Sequence, residues 1–180
     1  MRIVAGKFRH RIIDMCNLET TRETQDSVRE AIFNMIGPYF DGGICLDLFA
    51  GSGAMALEAY SRGMEKIYLN DLNNKALDVC KKNALKLGIN DALFYNLDYK
   101  EFLDKIDVKF DLIILDPPYK MNNIDDIIND TKKVLNDKGL IVFEMAKESK
   151  YKDSYDNLKL KKDKTYGIKR VLVYKGEANE

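Results

Sequence analysis

The chain of 180 residues is 46% hydrophobic and 32% charged, which suits one ordinary globular domain with its own core. Its 29 basic and 29 acidic residues cancel, and no apolar run approaches the ~20 residues of a membrane span. A single histidine, His10, and three unpatterned cysteines, Cys16, Cys45 and Cys80, exclude a His-based triad, a metal site and a disulfide framework as expectations.

Residues 1–15 alternate weakly around the polar turn Gly6-Lys7-Phe8-Arg9, which predicts a β-hairpin. Helical spacing of Val28, Ala31, Ile32, Met35 and Ile36 predicts a helix over 26–36, with Ser27–Glu30 as a capping box and Gly37-Pro38 as its stop. After Gly42-Gly43 the pattern becomes strand, turn, helix, repeated. Strands are expected at 44–48, 67–69, 92–95, 110–115, 140–143, 158–161 and 169–174, and helices at 54–61, 74–87, 99–104 and 124–135. Apolar strands alternating with helices imply a doubly wound, mainly parallel α/β sheet covered on both faces. The whole is one domain, with residues 1–20 a hairpin extension on a catalytic core of residues 21–180. Met1–Lys7 lacks the apolar stretch of a signal peptide, so the expected compartment is the cytoplasm and the expected state a monomer.

The neutral total conceals a segregation of charge. Residues 1–13 carry Arg2, Lys7, Arg9 and Arg11 and no acid, and residues 147–175 carry ten bases against four acids. The stretch between them holds fifteen bases against twenty-three acids. A basic run is often only a solvated face, but phosphate binding follows the local field rather than the total. Two basic ends point to nucleic acid, with Arg2, Lys7, Arg9 and Arg11 as candidate RNA contacts.

The segment Leu46-Asp47-Leu48-Phe49-Ala50-Gly51-Ser52-Gly53 takes a strand through an acid and a glycine turn into a helix. Gly51 and Gly53 permit a tight turn and close approach of a ligand to the backbone. Alone the turn suits NAD equally well. Asp47 separates the two readings, because a carboxylate there repels a pyrophosphate but suits the cationic amino-acid part of S-adenosylmethionine. The second strand ends at Asn70-Asp71, where an acid can hold both ribose hydroxyls, and the third near Asp98, placed to meet adenine. Helix capping is the competing role for Asp71 and Asp98. Phe49 is either core or a wall of the adenosine pocket.

The sharpest signal follows the apolar run 112–115: Asp116-Pro117-Pro118-Tyr119. Two prolines remove two N–H donors, leaving the Asp116 carboxylate and the Pro117 carbonyl as an acceptor-only pocket. Such a pocket takes both hydrogens of an exocyclic amine and turns its lone pair toward a methyl donor. Tyr119 is placed to stack on a base drawn out of its helix.

With these motifs the sequence resembles the RsmD-type methyltransferases of bacterial 16S ribosomal RNA. The likeness runs through Met1–Gly6, the segment Thr21–Asn34 (with Arg22, Thr24, Val28, Arg29 and Glu30), Asp47–Gly53, Glu58–Gly63, Asp116–Tyr119 and Tyr166-Gly167. The resemblance implies a seven-stranded methyltransferase sheet, S-adenosylmethionine as cofactor with Thr24 beside it, and a small hairpin approaching RNA. It implies as substrate a guanine N2 in small-subunit rRNA, met in a protein-bearing assembly. Two departures stand out: Glu23 where the family usually has proline, and Asn70 before Asp71, which leaves either as the ribose partner. The competing functions are transfer to another amine (adenine N6, cytosine N4 or a protein glutamine), a non-catalytic RNA-binding module, and an NAD-dependent oxidoreductase.

Overall fold

The structure, a computed structural model, describes residues 1–17 and 24–178. In chain order it forms α1 (Asp26–Ile36), β1 (Ile44–Asp47), α2 (Ala54–Ser61), β2 (Lys66–Asn70), α3 (Asn74–Lys86), β3 (Leu93–Tyr95) and α4 (Tyr99–Lys105). Then come β4 (Phe110–Leu115), α5 (Ile124–Thr131), β5 (Leu135–Ala146), β6 (Ser154–Tyr155), β7 (Leu158–Tyr166) and β8 (Lys169–Gly176). Successive strand residues point to opposite faces, so the apolar runs feed two separate layers. Cys45, Ile67, Leu112 and Ile114 fill one, against Phe33 of α1, Leu57 of α2 and Leu77 of α3. Leu46, Tyr68, Ile113 and Leu115 fill the other, against Phe102 of α4 and Ile127 of α5. Burial on both faces is why these strands carry continuous apolar sequence.

The sheet order is β3-β2-β1-β4-β5-β8-β7-β6. Pairings from β3 across to β5 are parallel, and those of β8, β7 and β6 antiparallel. The order reverses at β1, which lies between β2 and β4, and a crevice opens there at the carboxyl ends of the strands. The sheet has eight strands rather than seven, because the two-residue β6 joins its edge. The Ser27–Glu30 capping box does not form: Gln25 occupies the cap without a side-chain bond, and Ser27 is already inside α1. Helix α5 stops at Thr131 and passes through a 3₁₀ turn at Lys132–Val134, because the chain enters β5 at Leu135 and pairs there with Phe110.

The expected N-terminal hairpin is reduced to one antiparallel bridge between Arg2 and Ile12. The segment is held flat on the domain. Ile3 and Ile13 are buried in the layer beneath α1–α3, and the backbone N–H groups of Val4 and Ala5 donate to the Glu58 carboxylate. Gly6, at φ +84°, lies so close to the end of α2 that a Cβ would stand 1.9 Å from the Ser61 carbonyl oxygen. Lys7 N–H donates to that same oxygen. Lys7 and Arg9 therefore stand at the far end of α2, roughly 11 Å along the helix from its start at the glycine turn. The expected boundary at residues 20 and 21, and the Thr21, Arg22 and Glu23 part of the family-like segment, lie outside the described residues.

Candidate active site

The crevice at the end of β1 is a cavity of about 580 Å³, within the ~300–1,000 Å³ typical of ligand sites. Phe49, Ala50 and Gly51 form its glycine-turn wall. Gly51 takes φ +58°, and its N–H donates to Asp71 Oδ2 at 2.8 Å. Phe49 packs on Tyr99 at 5.7 Å between ring centres and lines the cavity. Gly53 does not line it. It caps α2 in the left-handed region, and a Cβ there would sit 2.5 Å from Cys80 Sγ. Its small size serves packing of the turn on α3.

Asn70 and Asp71 divide their work. The Asn70 amide is buried, donating to the Leu48 and Leu97 carbonyls and accepting from Leu97 N–H, and Asn70 also borders the cavity. Asp71 sits at the cavity wall, its second oxygen accepting from Asn73 N–H at 2.8 Å. Helix α3 is capped by Asn73 instead, through Lys75 and Ala76 N–H. Asp98 does cap its helix, accepting from Lys100 N–H at 3.0 Å, and also borders the cavity.

The floor holds an excess of acid. Asp47 is 2% exposed. Burial first, then the charges of Asp116, Glu144 and Asp71, push its carboxyl well above the usual carboxylate range, against one backbone N–H bond from Ala56. Lys169 reaches Glu144 Oε1 at 3.2 Å and Asp116 Oδ2 at 3.4 Å, and also donates to Thr24 Oγ1. Burial pulls the Lys169 ammonium down, but Asp116 and Glu144 together outweigh it and hold the lysine above its ordinary value. Glu144 is fully buried; Thr24 donates to its Oε1 at 2.9 Å, and among the described residues its Oε2 has no hydrogen-bond partner.

Asp116, Pro117, Pro118 and Tyr119 all line the mouth of the cavity, with Tyr119 48% exposed. The Pro118 carbonyl accepts Met121 N–H and closes the turn. The structure thus brings Thr24, Asp47, Phe49, Ala50, Gly51, Asp71, Asp98 and the Asp116–Tyr119 turn around one space. It leaves Gly53 behind that wall, and Arg2, Lys7, Arg9 and Arg11 away from it. Sequence reasoning missed Lys169 and Glu144. They come from the antiparallel pair β5–β8, and only its register sets them beside Asp116. Among the described residues there is no helix long and apolar enough to cross a membrane, and no cluster fit for a metal ion.

Residues 1–175 match the family described as conserved hypothetical protein 95. Ribosomal RNA small subunit methyltransferase D of Haemophilus influenzae is 34% identical, covering 97% of this chain and 93% of its own. The protein of that name in Escherichia coli K12 is 30% identical, covering 99% and 91%. A solved conserved hypothetical protein of Streptococcus pyogenes is 39% identical at a TM-score of 0.79, covering 83% of this chain and 95% of that one.

Proposed function

The chain belongs to the conserved hypothetical protein 95 family, that of the small-subunit rRNA methyltransferase D proteins, and on that premise we propose that it methylates guanine N2 in small-subunit rRNA. The observation that carries the reading is the charge of the cavity. Among the described residues, Asp47, Asp71 and Asp116 line it with Glu144 buried behind them, and the cation they meet is Lys169. That excess repels a pyrophosphate and favours a ligand bearing positive charge.

S-adenosylmethionine fits these residues and, when bound, supplies an electrophilic methyl on a sulfonium. Asp47 and the Gly51 turn face its amino-acid part, Asp71 its ribose and Asp98 its adenine, with Phe49 against the base. Asp116 and the Pro117 carbonyl accept the two hydrogens of the guanine amine. That orients the nitrogen lone pair and stabilises the charge that develops on it, contributions made in place before reaction. Lys169 reaches Asp116 and aims it, while Glu144 and Thr24 hold Lys169. Tyr119, half exposed at the mouth, is the stacking platform.

Incubation with methyl-labelled cofactor and 30S subunits lacking their native methylation tests this directly. Label is expected on a guanine N2 of 16S rRNA, and S-adenosylhomocysteine, not NAD, should raise the melting temperature. Label on adenine N6 or on a protein would overturn the substrate, and stabilisation by NAD alone would overturn the cofactor.

A further inference from the structure

The outer strands sort their charges by face. Paired residues of an antiparallel ladder share a face. Val171 and Val173 point into the layer beneath α1–α3, so Lys164 and Lys162, their partners in register, stand on that side of β7. Lys175, two residues beyond Val173, stands there too, directly opposite Lys159. The acid of β7 lies on the other face: Asp163 pairs with Leu172, whose side chain joins the second layer, and Asp163 is engaged by Arg170 and Tyr151. Lys161, at the register shift, pairs with Glu177, and Asp156 is engaged by Lys132. Among the described residues, Lys159, Lys162, Lys164 and Lys175 form no ion pair. Lys162, Lys164 and Lys175 are exposed, and Lys159 is half-buried.

Lysines placed directly opposite one another, as Lys159 and Lys175 are, destabilise a ladder, and a polyanion reverses that cost. The row also has a direction. Lys164 pairs with Val171, two residues along β8 from Lys169, which lines the cavity. From Lys164 to Lys159 the strand runs away from the cavity over roughly 16 Å. The same side of the sheet carries the N-terminal segment, through Ile3 and Ile13, and α3 with Lys75, Lys81, Lys82 and Lys86 against Asp78. The opposite side carries α5, with Asp125, Asp126 and Asp130 and no base.

We propose that Lys159, Lys162, Lys164 and Lys175 form a track for the RNA backbone, which leads away from the cavity along β7 while the target base occupies it. The choice of RNA as the polyanion rests on the rRNA methyltransferase reading. The track reads phosphates, not sequence, so its signature is electrostatic.

The test replaces all four lysines by glutamine and measures binding to transcribed 16S rRNA across a salt series, with methyl transfer to undermethylated 30S subunits measured alongside. Each phosphate contact contributes ~0.7–0.9 to the slope of log affinity against log salt, so the slope should fall by about 3. KM for the subunits should rise by roughly tenfold or more, with kcat, melting temperature and S-adenosylhomocysteine affinity unchanged. Replacing the same four lysines by arginine instead should keep the wild-type slope. Should the quadruple variant fold poorly, Lys162→Gln and Lys164→Gln singly should each lower the slope by about 1. An unchanged slope in glutamine variants that still methylate overturns the track and leaves the methyltransferase reading intact. A reduced slope with no methylation even by wild type leaves the track standing and overturns that reading.

Discussion

Two buried clusters of charge meet at Thr24, and they are built on opposite plans. On one side Glu58, fully buried, accepts from Arg29 and Arg62 and from the N–H groups of Val4 and Ala5. Arg29 goes on to Asp26, the Arg2 carbonyl and the Thr24 carbonyl. Two guanidiniums meet two acids there, Glu58 between them and Asp26 beside Arg29, and among the described residues one Arg62 nitrogen is left over. On the other side the Thr24 hydroxyl donates to Glu144, and Lys169 serves both Glu144 and Asp116 beside the buried Asp47. Among the described residues, one ammonium is shared there among several acids, and Glu144 Oε2 is left unpartnered. The first cluster balances its buried acid within the protein and pins the N-terminal segment to α1 and α2. Among the described residues, the second is short of positive charge. A buried acid without compensation is costly, so a fold keeps such a site where a cationic ligand completes it. The family-like run from Thr24 to Glu30 supplies parts to both, which explains why one short segment bears on stability and on the active site together.

The largest expected effect lies in the closed cluster. Glu58→Ala removes the acid from between two buried guanidiniums and strands two backbone N–H groups. Breaking such a pair costs about 3–5 kcal/mol. Urea unfolding should show that loss. A loss below about 1 kcal/mol, the range of a surface pair, would erase the distinction between the clusters.

Next comes Asp116→Ala in the open cluster. Methyl transfer under single-turnover conditions should fall on the order of 100- to 1,000-fold, the usual result of removing one preorganised group. Urea midpoint and S-adenosylhomocysteine affinity should stay near wild type, since the side chain is not part of the closed network. A stability loss matching that of Glu58→Ala would make Asp116 a structural residue.

The same contrast marks what was legible in the sequence. Spacing located α1, α2 and β4 to the residue, because each carries its own apolar period and its own stop. The acids at the ends of β1, β2 and β4 were legible because a parallel sheet presents its strand ends on one side, so position along the chain is nearly position in the site. Lys169 and Glu144 were not, since an antiparallel register made by tertiary pairing sets their depth. The packing role of Gly53 was not legible for a related reason: the glycine turn looks the same whether or not its small residue also packs on Cys80 of a neighbouring helix. The N-terminal segment suggested a hairpin extension, and nothing in its composition reveals that Glu58, more than fifty residues on, ties its backbone down.

The smallest effect expected is the most discriminating, and it concerns Asp47. Its carboxyl is raised, first by burial and then by Asp116, Glu144 and Asp71, so the folded chain binds this proton more tightly than the unfolded chain does. Linkage then fixes the sign: the ligand-free protein loses stability as pH rises from about 4 through the raised value, and recovers it as pH falls. Asp47→Asn keeps an acceptor for Ala56 N–H and removes the charge. Its melting temperature without ligand should exceed that of wild type at neutral pH, and the decline with rising pH should flatten. Its affinity for S-adenosylmethionine should fall about ten- to hundredfold, as expected for losing a hydrogen bond to a charged group worth ~1.5–3 kcal/mol. S-adenosylhomocysteine, which lacks the sulfonium charge, should lose less. Calorimetry and melting curves across pH on the same two proteins decide this. An Asn variant less stable than wild type at neutral pH would place Asp47 with Glu58, as an acid the fold needs charged. A variant more stable but a poorer binder would make it an acid held at a cost for its ligand.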